Sequence, residues 1–233
     1  MTLAGRIALV TGGTGALGQA VTLRFLAEGA VACVPWVVDE EHERLRAAVK
    51  PADAGRLFLD RCDVTDDVAL GRFVEAARGR HGAIDVLVTL VGGFAGGGLV
   101  EADRTAWDRM LALNLTSAFT ATRAVVPAMV AARRGRVITI GSRAVLPPAG
   151  GFIAYTTSKA GVIAFTQALA QELHGTGVTA NCVLPSTMDT PGNRAAMPDA
   201  DRKGWVPVES VAAAIAFLAS DEARHVNGTL VSV

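Results

Sequence analysis

The character of its short apolar runs constrains this chain more than any other feature. IALV (7–10), DVLV (85–88), RVITI (136–140) and VTANCVL (178–184) are apolar without strict alternation. A strand with one face in water alternates apolar and polar residues. A strand buried on both faces does not, and such strands are the habit of parallel sheets. Longer amphipathic stretches separate the runs. We read strands over 6–11, 31–36, 56–62, 84–91, 135–141, 178–184 and 229–233. Helices are expected over 16–28, 40–49, 66–80, 104–132, 154–173 and 208–218. This alternation predicts an α/β, doubly wound Rossmann fold with a seven-stranded parallel sheet and helices on both faces. No linker or repeat divides the 233 residues, so a single domain over 1–233 is expected. In such folds ligands bind beyond the C-terminal ends of the strands, and that is where chemistry is sought.

Composition excludes several function classes. Lys+Arg and Asp+Glu both number 22, so the chain lacks the basic excess expected of a nucleic-acid or anionic-membrane partner. No apolar stretch reaches the roughly 18 residues of a membrane span. The N-terminal segment MTLAGRIALVTGG has no basic, apolar and cleavage-site succession. Cys33, Cys62 and Cys182 are odd in number and scattered, so neither a disulfide framework nor a metal site is expected. A reducing cytoplasm is the expected location.

The first strand runs into Thr11-Gly12-Gly13-Thr14-Gly15-Ala16-Leu17-Gly18. A glycine-rich turn between strand and helix lets the backbone approach a pyrophosphate, whose charge the helix N-terminus favours. Gly13-x-Gly15-x-x-Gly18 matches the dinucleotide fingerprint in the right context. A plain tight turn is the alternative. The fingerprint also expects an acid about 20 positions on, for the ribose 2′-hydroxyl. Asp39 is a candidate for that role and equally for the start of the next helix. No arginine stands at the end of the second strand, and NAD and NADP both stay open as cofactor. After the third strand, Asp63-Val64 can meet an adenine, or Asp63 can start a helix. Val91-Gly92-Gly93 after the fourth strand again suggests backbone close to a ligand.

Tyr155-Thr156-Thr157-Ser158-Lys159 is the most telling segment. Tyr155, the only tyrosine, and Lys159 are four apart and share a helix face. A free phenol titrates near 10, and a nearby ammonium lowers that value, so the pair can exchange a proton with a substrate oxygen. Ser142 closes the fifth strand on the ligand side. Asn114 interrupts an apolar helical stretch, where it either satisfies a kinked backbone or holds a water.

Together these residues resemble the short-chain dehydrogenase/reductase family, over nearly the whole chain. The resemblance implies hydride transfer between a nicotinamide and a carbonyl or alcohol carbon. It implies Tyr155 as acid/base, Lys159 on the nicotinamide ribose, Ser142 on the substrate oxygen, and Asn114 supporting a proton-relay water. Gly12, Thr14, Gly15, Ala16, Leu17, Asp63, Val64, Val91, Gly92, Pro185, Met188 and Thr190 would line the cofactor. Met188 would meet the carboxamide and Thr190 the phosphates. The chain departs from the family pattern at Ala16, at Thr89-Leu90-Val91-Gly92, at Ser186, and at Trp36, where many NAD-preferring members have Asp. The segments 13–18 and 91–97, and the run Met188-Asp189-Thr190-Pro191 with Asn193, Arg194, Met197 and Trp205, are similar to one branch, the quinonoid dihydropteridine reductases. A carbonyl or pterin-like substrate follows from that resemblance.

Residues 186–207, flanked and broken by Pro185, Pro191, Pro198 and Pro207, read as a long irregular substrate lid. Trp205 and Met197 either pack on a flat substrate or anchor the loop. Arg194 would meet a substrate acid, a phosphate, or a lid carboxylate such as Asp199. The helices 104–132 and 154–173 are apolar on more than one face, and in the resembled family such helices pair subunits. A homodimer or homotetramer is expected.

Overall fold

The computed structural model describes residues 2–233. The expected architecture is present. Seven strands form one sheet: β1 (Ile7–Thr11), β2 (Val31–Trp36), β3 (Leu57–Arg61), β4 (Val86–Thr89), β5 (Gly135–Ile140), β6 (Val178–Leu184) and, nearest the C-terminus, β9 (Leu230–Ser232). Their order is β3-β2-β1-β4-β5-β6-β9, and every neighbouring pair is parallel. Strands β4, β5 and β6 are buried at every position, as expected of runs without strict apolar–polar alternation. The edge strand β3 is partly exposed and carries the polar pair Asp60-Arg61.

The helices are α1 (Ala16–Ala27), α2 (Asp39–Ala48), α3 (Asp67–His81), α4 (Arg104–Leu111), α5 (Ser117–Ala131), α6 (Ile153–Glu172), α7 (Pro191–Ala196) and α8 (Val208–Ala219). Two apolar layers result. One places Val21, Phe25 and Leu26 of α1 and Ile215 and Leu218 of α8 against β1, β2 and β5. The other places Phe73 and Val74 of α3, Val125 and Met129 of α5 and Leu169 of α6 on the opposite face. Burying such side chains supplies about 1.5–3 kcal/mol each before chain entropy is subtracted.

Three expectations need correction. The helix expected over 104–132 is not one regular helix: α4 and α5 are joined by a single π turn over residues 112–116, with Asn114 in it. The strand expected over 84–91 stops at Thr89, because Leu90 onward turns away to form the wall of a cleft. The excursion 186–207 is not irregular throughout. Its stem is closed by a two-residue parallel pair, β7 (Met188–Asp189) with β8 (Val206–Pro207), and it contains α7. Thr190 caps α7 by accepting from the Asn193 N–H, and Pro191 occupies the first turn, where its missing N–H costs nothing.

Candidate active site

The turn after β1 is shaped by close approach. Gly12 has φ +68°, and a Cβ there would lie 2.8 Å from the Val91 nitrogen. Only glycine lets the two strand-end loops pass so closely. Gly15 precedes α1 as its N-cap, provides no side-chain cap, and no acid occupies the helix's first turn. The first-turn N–H groups, Ala16 and Leu17 among them, therefore keep their capacity for an anion. By contrast, α3 is capped by Asp66, which accepts from the Val68 and Ala69 N–H groups. Leu17 packs into the core, so only its backbone faces the turn.

A cleft of about 370 Å³ opens beside this turn. Gly12, Thr14, Gly15, Asp63, Val64, Val91 and Gly92 line it, as expected for a dinucleotide. Pro35, Trp36, Glu41, Cys62, Leu90 and Leu113 also line it and had not been singled out for that role. Asp63 does not start α3, since Asp66 does. Its Oδ1 instead accepts from the N–H and hydroxyl of Thr65, which fixes the loop. Val64 is 5% exposed and packs in the core beneath the cleft. Asp39 lies in the first turn of α2, exposed, 3.4 Å from an Arg61 nitrogen, and outside the cleft lining. It serves the helix start, not the cleft.

The catalytic candidates begin where the cleft ends. A Cβ on Gly92 would lie 2.6 Å from Asn114 Oδ1 and 3.4 Å from Lys159 Nζ. Asn114 is 2% exposed and clamps two elements. Its Oδ1 accepts from the Gly93 N–H (2.9 Å), and its Nδ2 donates to the Gly93 carbonyl (3.1 Å) and to Ser158 Oγ (2.9 Å). The Ser158 hydroxyl in turn donates to the Tyr155 carbonyl (2.8 Å). The π turn thus holds the loop after β4 and the first turns of α6 in fixed register. Of the two roles open to Asn114, the buried backbone-satisfying one is present in this geometry.

Lys159 is buried, and among the described residues its one hydrogen-bond partner is the carbonyl of Ile140, the last residue of β5, at 2.9 Å. An ammonium has three donors, so two remain for ribose hydroxyls. Burial pulls its pKa down from the usual 10.5 to about 8, opposed by nearby Cys182. At neutral pH it is still mainly a cation. The Tyr155 phenol stands above its ordinary value, because burial outweighs the hydrogen bond from Ser142 that lowers it. The expectation that Lys159 depresses this phenol is not met in the chain alone, since the ammonium is drawn to Ile140 instead. Phe94, 65% exposed, packs edge-on against Tyr155 with ring centroids 5.0 Å apart, and tilts against Phe152 at 5.6 Å. These aromatic neighbours were missed from sequence, because loop glycines surround Phe94 and give no periodicity.

Ser142 is 8% exposed, and its Oγ accepts from the Ala144 N–H. The next residue, Arg143, donates its N–H to the Pro185 carbonyl, which ties the ends of β5 and β6 together. Pro185, Met188 and Thr190 lie at the stem of the 186–207 excursion and do not line the cleft. The Met188 carbonyl accepts from Asn193 Nδ2 (2.8 Å), and the Thr190 hydroxyl accepts from the Asn193 N–H, with its own O–H left to donate. Arg194 meets Asp189, through two bonds of 2.5 and 2.7 Å, and not Asp199.

The family model described as short chain dehydrogenase matches residues 6–201. The chain belongs to the short-chain dehydrogenase/reductase family. It is 33% identical to the 3-oxoacyl-[acyl-carrier-protein] reductase FabG of Thermotoga maritima over 244 residues, covering 100% of this chain and 98% of that one. It is 32% identical to the 2,5-dichloro-2,5-cyclohexadiene-1,4-diol dehydrogenase LinX of Sphingobium indicum, covering 97% and 93%. The crystal structure of levodione reductase superposes with a TM-score of 0.90 at 26% identity, covering 99% and 96%. As a member of this family the chain is an NAD(P)-dependent oxidoreductase acting on carbonyl or alcohol substrates. No helix among the described residues is long and apolar enough to cross a membrane.

Proposed function

We propose that Tyr155 is the acid/base of this oxidoreductase, with Ser142, Lys159 and Asn114 as its partners in a single domain over 1–233. The observation that carries the reading is the convergence of a partly buried phenol, the Ser142 hydroxyl and an under-bonded buried ammonium beside Gly92 of the cleft. The dinucleotide, when bound, supplies or accepts the hydride. The other tasks fall to the chain. The α1 N-terminus and the Gly12 turn receive the pyrophosphate. Lys159 holds the nicotinamide ribose with its two remaining donors. Ser142 donates to the substrate oxygen and so fixes the reacting carbon. In reduction Tyr155 delivers its proton to that oxygen, and in oxidation it removes the proton. Asn114 is a positioning residue, keeping Gly93 and α6 in register. The lid, 186–207, excludes water from the site.

The apolar aromatic cluster of Phe94 and Phe152 beside Tyr155, with Phe94 tilted 53° to Phe152, favours a cyclic or planar carbonyl. A quinonoid dihydropterin is the planar substrate within that class to which the sequence resemblance points. Exposed Phe119 on α5, edge-on to Phe165 on α6, supports subunit pairing through these helices in a homodimer or homotetramer. The test is a panel of linear ketones, cyclic ketones and a quinonoid dihydropterin with C4-deuterated NADH and NADPH. Deuterium at the carbinol carbon of the cyclic ketones is expected; for the quinonoid dihydropterin, whose added hydrogens end on exchangeable nitrogen, oxidation of the dinucleotide is the readout. Absence of transfer to every carbonyl refutes the reading.

A further inference from the structure

The first turn of α2 carries three consecutive carboxylates, Asp39, Glu40 and Glu41, a pattern that ordinarily serves the helix dipole. Two of them do so in the open. Glu41 is partly buried and turns into the cleft, where its Oε2 accepts from the Thr14 hydroxyl at 3.1 Å. Thr14 belongs to the phosphate turn and is 4% exposed. A side chain from the second crossover is therefore bonded to the turn after β1, beside the end of β2. That is where the ribose of a dinucleotide lies in this fold class.

The surroundings decide what such a carboxylate can accept. Among the described residues no lysine or arginine lines the cleft, while Glu41 and Asp63 both do. The nearest cation at this end, Arg61, is 3.4 Å from Asp39 and stands over the Trp36 ring at 5.3 Å from its centroid. Trp36, at the end of β2, is held by stacking on His42 at 4.2 Å, so it offers a wall and no acceptor. An anionic substituent at this point meets carboxylate without a compensating charge. A hydroxyl meets an acceptor already oriented by Thr14, with Oε1 left over.

We propose that Glu41 accepts from the 2′-hydroxyl of the adenosine ribose and makes the protein use NAD in preference to NADP. This rests on the dinucleotide reading above. The carboxylate reaches the ribose from a helix one turn further along the chain than the strand-end position that Trp36 occupies.

The test is equilibrium binding, read by nicotinamide fluorescence for NADH and NADPH, and by melting-temperature shift for ADP-ribose and its 2′-phosphate, at one ionic strength. NADH is expected to bind about 100-fold more tightly than NADPH, the order produced by one unscreened like-charge contact in a partly buried site. Glu41→Gln keeps an acceptor and removes the repulsion, so the gap narrows about tenfold. Glu41→Arg inverts the preference. Arg61→Ala leaves NADH affinity within about twofold. Equal or tighter NADPH binding by the unmodified protein overturns this proposal alone, as does a gap unchanged in Glu41→Gln. Failure to bind either dinucleotide overturns the underlying reading as well.

Discussion

Replacing Lys159 by methionine is expected to leave the protein inactive and more stable. The native ammonium, on the buried face of α6, has a single carbonyl partner among the described residues, and its pKa falls from 10.5 to about 8. That fall corresponds to about 3 kcal/mol of unfavourable free energy for holding the charge in the folded state. Methionine preserves the methylene packing but forfeits the bond to Ile140, worth about 1 kcal/mol. The net gain is about 2 kcal/mol at pH 7, or a rise of about 4–8 °C in Tm for a chain of this size. The pH dependence identifies the cause. A lysine whose folded pKa is depressed binds fewer protons folded than unfolded between pH 8 and 10.5, so the native protein gains stability across that window. Below pH 8 the penalty is complete. The advantage of the methionine variant is therefore largest at pH 7 and disappears by about pH 10. Urea denaturation of both proteins at equal protomer concentration, at pH 7 and at several points up to pH 10, measures it. A variant less stable than the native protein at pH 7, or a difference that ignores pH, would refute the reasoning.

Other consequences follow from the same geometry. Gly92→Ala places a methyl 2.6 Å from Asn114 Oδ1, so the clamp on Gly93 must shift. A loss of about 1–3 kcal/mol in denaturant stability and at least a tenfold fall in kcat/KM are expected, and an unchanged variant contradicts the clamp. Because burial raises the Tyr155 phenol, kcat/KM for alcohol oxidation should climb continuously from pH 7 to pH 9, while carbonyl reduction stays nearly flat from pH 6 to pH 8. A plateau in oxidation below pH 8 would show a phenol far more acidic than this site makes it.

The sheet was legible because burial on both faces leaves its mark within each strand: IALV and RVITI could belong to little else. The site was legible where one residue type has few other uses in its place, as with the sole tyrosine four residues before a lysine. It was less legible where tertiary placement decides. The carboxylates of 39–41 look alike in sequence, and only the packing of α2 beside the Gly12 turn brings Glu41, and not Asp39, into the cleft. The π turn adds one residue to a helical repeat without altering its apolar pattern, and a buried asparagine was its only signal. The short helix within 186–207 has a usable signal in sequence. Thr190-Pro191 is a hydroxyl cap followed by proline in the first turn, a common way for a helix to begin. The Met188 carbonyl and the Thr190 hydroxyl oxygen, in residues expected on the cofactor, accept from Asn193, a contact that only the folding of 186–207 creates.

Single-turnover mixing of Tyr155→Phe with preloaded reduced dinucleotide and a reducible cyclic ketone addresses the proton-transfer claim most directly. The predicted result is a loss of at least about 1,000-fold in the hydride-transfer rate, with dinucleotide affinity within about threefold of the native protein. A variant that still reduces the ketone within tenfold of the native rate would show that the phenol is not the proton donor.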